Sequence, residues 1–299
     1  MADGVQEVVA DGARERSDDR QATSVGSPSR PRPTTLQLTI RIAVICYVGI
    51  LVIVPLALLV WRAFAPGLDE FITAITDPLT LHAFALTAEI AGISVVLNTI
   101  FGVAVAILLV RYRFRGRQVL SALIDLPVSV SPIVVGLALV LVYGSAGWLG
   151  PTFMSAGIQI ITSVPGMVLA TMFVSLPLVT RAVAPVLEQL GTDQEQAAAS
   201  LGAHWVGQFR RITLPGIRYA LATGVVLCLA RCVGEFGAVL VVSGNIQGET
   251  ETATLRIDNL YETSLNPNAA YAVTFVLVVA AIVAIVIAAW LRRNPGEKS

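Results

Sequence analysis

Histidine is almost absent: two in 299 residues, His82 and His204, far apart in the chain. A membrane-embedded hydrolase or transferase needs convergent nucleophile, base or metal ligands, and no His-based site can be assembled from this pair. Cysteine is nearly as scarce. Cys46, Cys228 and Cys232 give no disulfide framework and read as small buried hydrophobes. No G-x-x-x-x-G-K-S/T stretch occurs, so the chain has no phosphate loop of that kind. Charge is also thin, with Asp, Glu, Lys and Arg together making up 13% of the chain. Hydrophobic residues make up 55% and the mean hydropathy is +0.76, which is far from a soluble domain and implies several membrane spans.

Residues 1–37 are polar and mixed in charge, end near "SPSRPRPTT" and hold no apolar signal-peptide core, so a disordered cytoplasmic tail is expected. The first span then serves as an uncleaved signal anchor. Six apolar windows follow, at 38–61, 82–110, 119–143, 164–186, 217–242 and 271–291. Lipid satisfies no backbone polar group, so each window must be a helix, and the fold class is an all-α membrane protein of six transmembrane helices. Of the 20 Lys and Arg, 17 fall on one side if the N-terminus is inside, two (Arg62 and Arg256) fall outside, and Arg231 lies within a span. The positive-inside rule then predicts both termini cytoplasmic, with 62–81, 144–163 and 243–270 outside, 187–216 inside, and a short inner tail at 293–299. The loop "RYRFRGR" reads as a topological anchor touching lipid headgroups, not as a nucleic-acid contact.

Three features inside the spans go beyond length. Pro127 and Pro132 in "DLPVSVSPIVVG" leave carbonyls unpaired and predict a bend or re-entrant start to the third span, with Asp125 near its cytoplasmic end. Small residues at Gly102 and Ala106, and at Ala88 and Gly92, permit close helix approach. The fifth span contains "LARCVGEFG", where Arg231 and Glu235 lie four apart on one face. Each ion at mid-bilayer costs roughly 2.5 to 3.5 kcal/mol on insertion scales, so this face should look into protein or water. Two uses fit: an internal ion pair that pins the span, or a positive field for an anion in a pathway. The pair is the preferred reading, because Glu235 one turn away cancels much of the potential an anion would feel.

The inner loop "EQLGTDQEQAAASLGAHWVGQFRRITLPG" is too ordered in pattern for a linker. Thr192 and Glu195 have capping-box spacing, Ala197–Ala199 favour helix, and Gly202 suits a left-handed end, which predicts a helix near 193–201. "HWVGQF" offers a second amphipathic piece with Trp205, Val206 and Phe209 on one side, and Pro215 can open the next span. Two short helices with a glycine corner would make a protruding knob. Trp205 and Phe209 beside Arg210 and Arg211 would equally suit a helix lying on headgroups.

The residue order favours the knob. The loop resembles the E-A-A, three residues, G, nine residues, I-x-L-P pattern of bacterial ABC importer permeases, matched here by Ala197, Ala198, Gly202, Ile212, Leu214 and Pro215. Gln196 stands where that family has Glu, and Glu195 precedes it, about 100 degrees round the helix. Across residues 40–292, "RYRFRGR", "LIDLPVSVSPIVVG", "SVPGMVLATMF" and "RCVGEFGAVLVVSGNIQGET" occur in the order of the sulfate/thiosulfate permeases, and the chain is similar to their W-type subunit. Molybdate permeases are similar around Gly234, Glu235, Phe236 and Gly237, so that motif alone does not separate the anions.

The resemblance implies the type I importer architecture over residues 38–292, with 187–216 as the coupling loop. It also implies a second, T-type permease, two copies of a cytoplasmic ATPase that carry ATP and Mg, and an extracytoplasmic sulfate-binding protein. This chain would bind no cofactor and would not itself be an enzyme. Glu195, Gln196, Ala197, Ala198, Gly202, Ile212, Leu214 and Pro215 would couple to the ATPase. Arg231, Gly234, Glu235, Phe236 and Gly237 would line the pathway or the dimer seam. A channel is the third class, and the folded inner loop argues against it.

Overall fold

Three long apolar helices meet at the centre of the structure. The computed structural model describes residues 35–293, so the expected tail lies outside the described residues except for its last three, which are already helical. The chain divides into two units, residues 1–56 and 57–299. The described part of the first unit is helical, the beginning of α1 (Thr35–Phe64), and its side chains from Ile42 to Val54 are largely exposed and apolar. Such a surface fits lipid or an apolar partner better than water.

In the second unit the centre is α3 (Pro78–Arg111), α7 (Val164–Leu190) and α10 (Leu214–Val233), which pack on one another more extensively than most other elements. Val103, Ala106, Val179, Val183, Leu187, Ile217 and Cys228 form their shared core. A Cβ added at Gly102 would sit 2.8 Å from the Val179 side chain, so glycine sets the α3–α7 approach there. Gly92, by contrast, faces open space. One buried amide ties the three together. Asn98 Nδ2 donates to Ser175 Oγ at 2.8 Å and to the Met172 carbonyl at 3.1 Å, with Cys228 Sγ 3.7 Å away. Cys228 and Cys232 are buried thiols packed in this core, whereas Cys46, expected to be buried as well, is exposed on α1.

Among the described residues, five helices are long and apolar enough to cross a membrane: Arg41–Phe64, Pro78–Arg111, Val164–Leu190, Trp205–Val233 and Pro267–Ile287. The last belongs to α13 (Pro267–Arg293), which packs on α10. The expected third span is not straight. It is α4 (Arg117–Ser129) and α5 (Pro132–Tyr143), bent by 114° at Val130–Ser131. Pro132 opens α5 where its missing N–H costs nothing. The count of six holds when this pair is taken as one crossing.

The expected fifth span, 217–242, is also corrected. Its helix stops at Val233 and restarts as α11 (Gly237–Ser243), because the glycines at 234 and 237 permit a break that the apolar run alone conceals. The segments expected outside are not plain loops: they hold α2 (Leu68–Thr76), α6 (Gly150–Ser155) and α12 (Ala253–Asp258), and α12 continues as a π-turn over Asn259–Thr263.

Candidate functional site

The knob is present and differs in detail from expectation. Its first helix is α8 (Asp193–Ser200), and Gly202 follows at φ 83°, a left-handed corner that suits glycine. The second helix, α9 (Trp205–Gln208), does not end before the span. It runs into α10 through a π-turn at Phe209–Thr213, where the Leu214 N–H reaches the Phe209 carbonyl. Pro215 therefore lies inside a continuous helical run, Trp205–Val233, instead of opening it. Proline has no N–H and crowds the carbonyl four residues back, and one extra residue in the preceding turn relieves this.

The Thr192–Glu195 capping box does not form. The Thr192 side chain makes no cap bond and instead accepts from Gln196 Nε2 at 2.9 Å. The Glu195 carboxylate has found a cation. Arg111 Nη2 donates to Glu195 Oε1 at 3.2 Å, Arg111 Nε lies 3.1 Å from Oε2, and Thr213 Oγ1 donates to Oε1 at 2.7 Å. Arg111 Nη1 also donates to the Leu187 carbonyl at 3.1 Å, one of the carbonyls that the C-terminal turn of α7 leaves without a helical donor. Of the "RYRFRGR" cations, then, Arg111 is part of a buried cluster, whereas Arg113 and Arg115 are exposed as a headgroup contact would be.

The knob's tip is apolar and open. Leu201 is 89% exposed and Trp205 69%, with Val206 beside them, and Gln196 and Ala197 are exposed on α8. Ala198, Ile212 and Leu214 are half-buried and serve as the knob's inner side.

The second constellation is the break at 234–236. Arg231 Nη1 lies 2.6 Å from Glu235 Oε2, so the expected pair is made within one chain. The two ends differ: the Glu235 side chain is 2% exposed and that of Arg231 36%. Glu235 has a further duty, because its Oε1 accepts the Ala238 N–H at 3.0 Å and so satisfies a first-turn donor of α11. Its carbonyl accepts from Thr254 Oγ1 at 2.7 Å, which fixes α12. Phe236 packs into the core beside Leu86 and Met167. A Cβ on Gly237 would meet Pro132 and Ile133 at 3.1 to 3.2 Å, so α5 starts against this glycine. Gly234 is exposed. The structure thus gathers Glu235, Phe236 and Gly237 into one junction of four helices, with Arg231 on its open side.

A third cluster went unread in the sequence. Arg256, counted there as an outer-loop cation, is buried: Nη2 donates to Asp77 Oδ2 at 3.0 Å and Nη1 lies 3.8 Å from Glu251 Oε2. Asp77 also caps α3 through the Thr80 N–H, and Glu251 accepts from Asn259. The only available signal was the polar run "SGNIQGET", since Asp77 lies 179 residues from Arg256.

The sulfate transport system permease protein CysW of Synechococcus elongatus is 45% identical over 253 residues, 85% of this chain and 88% of that protein. The sulfate transport system permease protein CysT of Salmonella typhimurium is 36% identical over 223 residues, 75% of this chain and 79% of that protein. In fold, the chain matches the crystal structure of a bacterial ABC transporter involved in the import of the acidic polysaccharide alginate, with a TM-score of 0.72, 18% identity, and coverage of 87% of this chain and 96% of that one. The profile of one family covers residues 98–295. This multi-pass membrane protein therefore belongs to the binding-protein-dependent transport system inner membrane component family.

Proposed function

We propose that the chain is the W-type permease subunit of an ATP-driven sulfate/thiosulfate importer, forming the translocation pathway with a T-type permease. Two cytoplasmic ATPases hold the ATP and Mg, and an extracytoplasmic binding protein delivers the anion. The observation that carries the transporter reading is the knob. A folded loop on the side rich in arginine presents Leu201, Trp205 and Val206 to solvent, and an apolar tip held there by partly buried polar bonds is a docking surface, not a linker. Sulfate rests on the likeness to CysW and CysT, both of sulfate transport systems, and the greater likeness to CysW favours the W-type position.

The ends of α3 and α7 and the start of α10 meet at the knob, where Arg113, Arg115, Arg210 and Arg211 are exposed. The excess of cations there supports placing this end in the cytoplasm and the Asp77–Arg256 cluster outside. Both termini are then cytoplasmic, with the bent pair counted as one crossing. At the 234–237 junction the pair holds the helix break and the open side of Arg231 faces the seam with the partner permease.

The test is labelled sulfate uptake by cells that carry the whole transporter with and without this chain, in the presence of unlabelled competitors. Uptake that depends on the chain and is displaced by sulfate and thiosulfate is expected. Displacement by molybdate ahead of sulfate would overturn the assignment of the anion.

A further inference from the structure

The coupling knob is poorly held by apolar packing. No residue of α8 is buried, and Gln196, Ala197, Ala199, Ser200 and Leu201 are all exposed. What fixes α8 is polar: Glu195 joins Arg111 at the end of α3 and Thr213 in the π-turn before α10, while Arg111 caps α7 at Leu187. One guanidinium, carried by the last residue of α3, thus caps α7 and grips the knob, in a setting where its side chain is 12% exposed and that of Glu195 20%. The π-turn contributes directly, because it lies at the point where Thr213 meets the carboxylate.

We propose that Arg111 is a positioning residue for energy coupling, and that the Arg111–Glu195–Thr213 cluster is the stiff joint through which displacement of the knob by the ATPase moves α3, α7 and α10 together. This rests on the transporter reading above. Two hydrogen bonds and a close ion-pair contact to one carboxylate transmit a displacement that exposed, alanine-rich α8 would otherwise absorb by tilting. The joint also explains the acid at 195 beside Gln196. Position 195 faces inward to the cation, and position 196 faces out, its side chain donating to Thr192. A guanidinium is required because its fork reaches the Leu187 carbonyl and the carboxylate at once.

The test uses the complete complex in proteoliposomes, with labelled sulfate as probe, measuring sulfate moved per ATP hydrolysed and the ATPase bound per permease. Arg111→Gln is expected to lower sulfate per ATP about tenfold with bound ATPase changed less than about twofold, since the docking tip is untouched. Adding Glu195→Gln to it should cost little more, as expected for partners in one bond. Arg111→Lys keeps the charge but reaches one acceptor only, so it should lower the ratio about three- to fivefold and serves if Arg111→Gln fails to insert. An unchanged ratio in Arg111→Lys, or uptake lost only in proportion to lost ATPase, overturns the joint. Wild-type complex separates the readings: with no ATP-driven sulfate uptake there, the transporter assignment falls and the joint with it, whereas normal wild-type uptake and unchanged variants remove the joint alone.

Discussion

Replacing Arg231 with Ala strands the Glu235 carboxylate, whose side chain is 2% exposed and whose cation lies 2.6 Å away. Removing one partner of a fully buried pair costs about 3 to 5 kcal/mol. Two features reduce that here: Arg231 is 36% exposed, so part of its desolvation was never incurred, and the Ala238 N–H still donates to Glu235. A loss of about 2 to 3 kcal/mol is expected, roughly 30- to 150-fold in the folded fraction. The second change must keep the α11 cap, so Glu235→Gln is the partner substitution, because its amide oxygen can still accept the Ala238 N–H. The double variant Arg231→Ala, Glu235→Gln should recover most of the loss. Glu235→Ala in its place should forfeit a further ~1 kcal/mol with the cap. The assay is the amount of intact complex after a temperature series, read by size-exclusion chromatography in detergent. An Arg231→Ala complex of wild-type stability that has lost sulfate uptake would refute the pinning role and make Arg231 a pathway group.

Gly202→Val forces a β-branched residue to φ 83°, at a cost of about 1 to 2 kcal/mol, and should turn α9 away; ATPase co-purification and uptake should fall together while membrane insertion persists. Ala203→Ser, on the same exposed corner, should behave as wild type in both measurements. In a cysteine-free background, an impermeant maleimide on intact cells should label Ser155→Cys and Ser264→Cys but not Gln208→Cys, and the reverse pattern would invert the topology. Gly102→Val drives branched bulk into Val179, 2.8 Å from where its Cβ would lie, and should cost about 1 to 3 kcal/mol, seen as a lower melting temperature of the complex.

Span positions were legible because twenty apolar residues in a row have few other meanings; the observed helices differ from the expected windows by a few residues, except the fifth, which begins at Trp205 and stops at Val233. The bend at Val130–Ser131 was legible through its prolines, and the knob through Gly202 and its flanking helix formers. The break after Val233 was not, because "CVGEFGAVLVV" is apolar but for Glu235, which reads as the i,i+4 partner of Arg231 on an unbroken helix, and two glycines alone do not end a helix. Nor was the joint. Glu195 stands three residues after Thr192, which is capping-box spacing, yet its partner Arg111 is 84 residues away and looked like one more cation in an arginine-rich loop. Local pattern assigned Glu195 a bond to one backbone N–H, and the fold brought it a cation, whose ion pair won. Arg256 was misread for the same reason: its loop position suggested solvent, and only packing brings Asp77 to it.

The most direct test of the whole account is sulfate uptake into proteoliposomes that contain this chain, its partner permease and the ATPases, with binding protein outside and ATP inside. The account predicts saturable accumulation of labelled sulfate against its gradient that stops when ATP is replaced by a non-hydrolysable analogue. Sulfate entry that proceeds equally without ATP, and only down its gradient, would make the chain part of a channel and contradict it.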